Sequence, residues 1–218
     1  MLDSVLFIVF SVLESTALFY LAFKIFKIDL YPKEMVFAGL IMAFFSYVIR
    51  VNNGFAGIDV FTQYLLVFLF LWLLFRIHVF YAAIMTGMSY QLYMLIQSIL
   101  YLLMSTSGIT DFKLHSISIG VYLMQTLSAL TAFSIGHYIG RKRKGFDFVP
   151  DKPEERIVLG HQEKVLFTLS LPSILIVYLM IYVSENSSQL FILIPLAYAV
   201  LLFGYLDFSI KKNRGDEF

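Results

Sequence analysis

LDSVLFIVFSVLESTALFYLAF, residues 2–23, decides the fold. A helix needs about 20 predominantly apolar residues to cross the hydrocarbon of a bilayer, and this run supplies them. Its only charges are Asp3 at the edge and Glu14 near the middle. It lacks the basic start and small-residue cleavage site of a removable secretory signal, so it is expected to stay in the mature protein.

Six further apolar runs follow at 35–51, 58–75, 79–104, 117–140, 165–183 and 190–208. The second, third and seventh are short, and Arg50, Arg76 and Asp207 at their edges are expected to snorkel to the interface. Only Arg76, Ile77 and His78 separate the third run from the fourth, which predicts a tight helical hairpin. The whole chain is 60% hydrophobic and 14% charged over 218 residues, where soluble domains carry about 25% charge. These features predict an all-α polytopic membrane bundle of about seven helices, one domain over 1–218, for which the lipid bilayer is the first partner.

Basic residues set the expected orientation. Lys24, Lys27 and Lys33 follow the first run and Arg76 the third. Arg141, Lys142, Arg143, Lys144, Lys152, Arg156 and Lys164 follow the fifth, and Lys211, Lys212 and Arg214 the seventh. The opposite segments hold only Arg50 and Lys113. Basic residues favour the cytoplasmic side, so the N-terminus is expected outside and the C-terminus in the cytoplasm of a multi-pass cell-membrane protein. The polar segment 141–164 is too short to bury a core, and its basic start is expected to lie on anionic headgroups.

Inside the apolar runs, Glu14 is the foremost candidate, because an intramembrane carboxylate is costly and often functional. Thr86, Tyr90, Tyr93, Gln97 and Tyr101 recur at helical spacing on one face of the fourth run. Ser118, Tyr122, Gln125 and Thr126 share a face of the fifth. With the expected topology, Tyr93, Gln97, Tyr101, Tyr122 and Gln125 stand at similar depth in the outer half. Together with Glu14 they form the candidate ligand-binding set, an aromatic pocket with a few orienting polar groups. Interhelical hydrogen bonding and an interfacial tyrosine belt would account for some of the same residues. Ser128, Ala132, Gly136 and Gly140, spaced by four, predict close approach of another helix.

Several classes are excluded by residues that are missing. Cysteine is absent, which removes disulfides, thiolate metal sites and cysteine nucleophiles. The last run, 190–208, has no lysine for a retinal Schiff base, and no phosphate-cradling G-x-x-x-x-G-K-[ST] loop is present. The four histidines stand alone, without ligand-like companions. No enzymatic activity, metal, cofactor or nucleic-acid partner is expected.

The stretches LFIVFSVLESTALFYLAFKIFK (6–27) and LWLLFRIHVFYAAIMTGMSYQLYMLIQSI (71–99) resemble the membrane sensor region of peptide-pheromone histidine kinases of the accessory-gene-regulator type. The likeness lies in hydropathy, loop lengths and aromatic texture over nearly the whole chain. It implies a bundle of six or seven helices in the cytoplasmic membrane of a Gram-positive bacterium, receiving a secreted peptide on its outer side. Such receptors continue into a dimerisation helix and a kinase domain, whereas this sequence stops at Phe218. The resemblance therefore implies a sensor-like module that signals through a separate kinase or other membrane subunit, and no catalytic residue carries over. The competing expectation is a small transporter or the substrate-binding membrane subunit of an importer, with Glu14 and the prolines Pro172 and Pro195 on its path. A purely structural subunit is the third.

Overall fold

The computed structural model describes residues 2–106, 119–149, 161–170, 172–178 and 193–214. Regular structure among them is helical throughout, in the order α1 (Leu2–Ile25), α2 (Pro32–Ser46), α3 (Ala56–Leu69), α4 (Val79–Thr106), α5 (Ile119–Lys142), α6 (His161–Thr168) and α7 (Leu193–Arg214). Residues 172–178 are also helical. Pro32 opens α2, where its missing N–H breaks no helical hydrogen bond. Both α2 and α3 widen at their C-terminal ends into π-helical stretches, Tyr47–Asn52 and Phe70–Leu74.

Among the described residues, five helices are long and apolar enough to cross a membrane: Ser4–Ile25, Pro32–Val51, Gly57–Leu74, Val79–Thr106 and Ile194–Arg214. Helix α5 has 24 residues, as many as α1, but Gln125, Thr126, Ser128, Thr131 and Ser134 dilute its apolar content. The expected run 165–183 and the segment 141–164 fall partly outside the described residues. Large apolar side chains point outward in helical rows, Val5, Val9 and Leu13 on α1 and Leu196, Val200 and Phe203 on α7, with Phe203 71% exposed. In water such rows would be unfavourable, whereas hydrocarbon solvates them.

Helix α1 is the axis of the bundle, packed most extensively on α5 and next on α2. The small-residue ridge of α5 makes the first contact possible. A Cβ on Gly136 would stand 2.9 Å from Tyr20 Cε1, and one on Gly140 would stand 3.1 Å from Lys24 Cδ. The ridge is thus used within the bundle. Gly39 brings α2 equally close to α1, where a Cβ would lie 3.3 Å from the Val12 carbonyl oxygen. Helix α4 contacts α7, α5 and α1, and Gly87 gives room for the buried Tyr205, whose hydroxyl bonds Ser173 Oγ at 3.0 Å.

The end of the bundle that holds the basic residues is closed by aromatic rings. Phe75 stacks edge-on against Phe23 at 4.8 Å and tilts on Phe19 at 5.5 Å, while Phe26 meets Phe148 at 5.8 Å. Three turns at this end carry a basic residue in the left-handed region, Lys27 (φ 50°), Arg76 (φ 56°) and Arg143 (φ 50°). After α1 and α5 the following amides, Ile28 and Lys144, bond back to Phe23 and Ile139. That is the six-to-one closure in which a left-handed residue ends a helix, usually as glycine.

The basic start of the 141–164 segment, Arg141 to Lys144, is exposed, and the residues that follow it dock on the bundle. Phe146 N–H donates to the Ile25 carbonyl at 2.7 Å, and Phe146 and Val149 are buried. Lys27 pairs with Asp147 at 2.6 Å, and the Asp147 amide donates to Asn213 Oδ1 at 3.0 Å. The apolar side chains among the polar ones, Phe146, Phe148 and Val149, are what dock this strap under α1. Helix α7 likewise runs past the predicted end at 208 to Arg214. Asp207 bonds Lys211 one turn on at 2.7 Å, and the basic last turn suits the helix dipole.

Gly145 carries a prediction. A Cβ there would fall 2.7 Å from both the Lys24 and Ile25 carbonyl oxygens. Those are backbone atoms of a packed helix end and cannot swing aside. Gly145→Ala is expected to loosen the strap by about 1–3 kcal/mol and to speed tryptic cleavage at Arg143 and Lys144 severalfold. A cleavage rate equal to that of the wild type would count against the docked strap.

Candidate functional site

Polar residues from each of the first five helices are brought together at the end of the bundle opposite the aromatic plug. They enclose a cavity of about 170 Å³. Helix α1 contributes Ser11, Glu14 and Ser15, and α4 contributes Tyr90, Tyr93, Gln97 and Tyr101. Helix α2 with its π-helical end supplies Met42, Ser46 and Arg50, α3 supplies Asp59 and Gln63, and α5 supplies Met124 and Gln125. The α4 residues reach it because their spacings of three and four keep them on one side of the helix.

Two carboxylates are held by neutral donors. Gln97 Nε2 from α4 donates to Glu14 Oε1, and Gln125 Nε2 from α5 donates to Glu14 Oε2 at 2.9 Å. Glu14 therefore ties three helices at one point. Asp59, 4% exposed, accepts from Ser46 Oγ at 2.8 Å and from Gln63 Nε2 at 3.2 Å. Gln63 also donates to the Met42 carbonyl at 3.0 Å, which joins α2 to α3. Arg50 lines the same cavity. It forms no ion pair with either acid, the ion pairs among the described residues being Lys27–Asp147 and Lys211–Asp207.

Some buried polar atoms in the lining have no partner at all. Ser11 Oγ and Gln125 Oε1 make no hydrogen bond, although their side chains are almost wholly enclosed. Tyr90, by contrast, donates to the Val60 carbonyl at 3.0 Å. Such unpaired atoms are uncommon in folded proteins and call for water or a ligand.

Of the candidate set, Glu14, Tyr93, Gln97, Tyr101 and Gln125 line the cavity. Tyr122 does not line it and stacks its ring on Phe10 at 5.0 Å. Three residues separate it from Gln125, which sets it about 60° round the helix and against Phe10 of α1. The sequence reading missed Asp59 and Gln63 and took Arg50 for an interfacial anchor. Asp59 lies at the edge of its run, where an acid reads as a helix start. The signal available was Gln63 four residues on, a second polar group on the same face. Thr86, deeper on α4, bonds the Ala82 carbonyl at 2.7 Å and stays outside the site. Among the described residues no three His, Asp or Glu side chains are grouped as metal ligands.

The arrangement can hold a small molecule with a polar head against carboxylates, amides and phenols and an apolar body against Leu18, Met42, Met94 and Met124. Comparison with protein-family models, curated proteins and solved structures finds no match for this chain.

Proposed function

We propose that the protein is a receptor-like or regulatory membrane module that binds an extracellular peptide or small ligand in the Glu14 cavity. It signals through the basic face to a kinase or another membrane subunit. On this reading the bundle has seven spans, sits in a bacterial cytoplasmic membrane with its N-terminus outside, and belongs with the accessory-gene-regulator type of sensor. The observation that carries the proposal is the cavity lined from five helices, with two unpaired buried polar atoms, Ser11 Oγ and Gln125 Oε1, in its wall. The opposite end is filled by the Phe19, Phe23 and Phe75 cluster, which favours a receptor over a carrier needing a path to both sides.

The absence of cysteine makes the test direct. Single-cysteine variants at Asn53, Tyr101 and Lys142 are exposed to a membrane-impermeant thiol reagent in intact cells and in inside-out vesicles. Positions 53 and 101 are expected to react in cells, and position 142 only in vesicles. The reverse pattern rejects the orientation. Reaction of position 101 from both sides would instead mean alternating access, and the transporter would replace the receptor.

A further inference from the structure

We propose that the cavity recognises the ammonium group of a small amphipathic ligand, either a free amine or the amino terminus of a peptide. This deepens the ligand-site reading above and rests on it.

Acceptor capacity is left open in the lining next to Glu14. Each carboxylate oxygen already accepts one amide N–H, from Gln97 and Gln125, and an ionised carboxylate has room for about four hydrogen bonds in all. Gln125 Oε1, an acceptor only, is unpaired although Gln125 is bonded to Glu14 through its nitrogen. Ser11, one turn before Glu14 on α1 and 6% exposed, carries the other unpaired atom, and the Tyr93 hydroxyl, 2% exposed, lies beside Glu14 and Ser128. An ammonium group offers three N–H donors to such a ring of oxygens.

Charge points the same way. Two carboxylates, Glu14 and Asp59, face the cavity with one guanidinium, Arg50, and that guanidinium is paired with neither. Two acids at membrane depth call for compensating charge, and one guanidinium that contacts neither leaves room for a ligand cation. The rings of Tyr90, Tyr93 and Tyr101 add the negative aromatic faces that attract ammonium groups.

Volume sets the size. At about 170 Å³ the space is close to that of an engineered cavity of about 150 Å³ that holds benzene. One ring with a short ammonium-bearing chain fits. A whole peptide does not, so a peptide would enter by one residue.

The test is calorimetric titration of the purified full chain in nanodiscs at neutral pH. The probes are 2-phenylethylamine, 2-phenylethanol and 3-phenylpropionate, which share a body and differ in the head. The amine is expected to bind about tenfold or more tightly than either of the others, as a charge-assisted hydrogen bond implies, and Glu14→Gln is expected to erase that preference. The unsubstituted protein alone decides the question if the variant does not fold. Tighter binding still by phenylalanyl-glycyl-glycine amide, lost on N-acetylation, would support the proposal and assign the ammonium to a peptide terminus. Alcohol or carboxylate binding as tightly as the amine overturns the ammonium assignment and leaves the ligand cavity standing. No binding of any probe at millimolar concentration overturns both.

Discussion

Gly136→Leu is expected to separate α5 from α1 and to lower the unfolding free energy by about 3 kcal/mol or more, the range of severe overpacking. At this position a Cβ alone already meets Tyr20 at 2.9 Å and lies 3.6 Å from Leu21 Cα. Tyr20 cannot retreat freely, since its ring packs on Phe133 at 5.1 Å and lies beneath Lys24 Nζ at 5.7 Å. The longer side chain would therefore push on the backbone of α1. Because α1 carries Glu14 and α5 carries Gln125, the same displacement opens the cavity. Gly136→Ala asks for a ring shift of a few tenths of an ångström and should cost about 1 kcal/mol. The midpoint of denaturation in detergent by increasing fractions of sodium dodecyl sulfate measures both. A Gly136→Leu protein with the midpoint of the wild type would show that α1 and α5 do not meet along the ridge.

Glu14→Leu is the second large effect. Leucine removes the acceptor shared by Gln97 and Gln125 and strands two amides inside the bundle. Unsatisfied buried amides cost about 1–3 kcal/mol each in water-soluble proteins, and interhelical hydrogen bonds in membranes average about 0.6 kcal/mol. A loss of about 2 kcal/mol is expected between these limits. Glu14→Gln keeps the shape and an amide oxygen to accept one bond, so it should lose less than about 1 kcal/mol. The ordering of the two variants in the same denaturation assay checks this account. If leucine is neutral or stabilising, the carboxylate is a burden that its neighbours merely tolerate, kept for the ligand and not for the bundle.

The two variants act on different properties of one object. Gly136 governs how close the helices come, and Glu14 governs what they share once close. Ligand binding is expected to fail in both, but the glutamine variant separates the roles by keeping the fold and losing the ammonium preference.

Membrane character was legible in the sequence because it depends on composition and run length alone. The run 2–23 is long and apolar wherever its neighbours lie, and α1 occupies Leu2–Ile25. The hairpin at Arg76–His78 was equally local, and α4 begins at Val79. The α4 face of Tyr90, Tyr93, Gln97 and Tyr101 followed from helical spacing, which holds within one element without reference to any other. Docking of the 145–149 strap, the partnership of Asp59 with Ser46 and Gln63, and the turning of Tyr122 onto Phe10 were not legible in this way. Each depends on which helix stands opposite and at what register. Spacing within a helix says which residues share a face. Only packing, through the close approaches at Gly39 and Gly136, decides which face it meets, and so brings Glu14, Arg50 and Asp59 from three separate elements into one cavity.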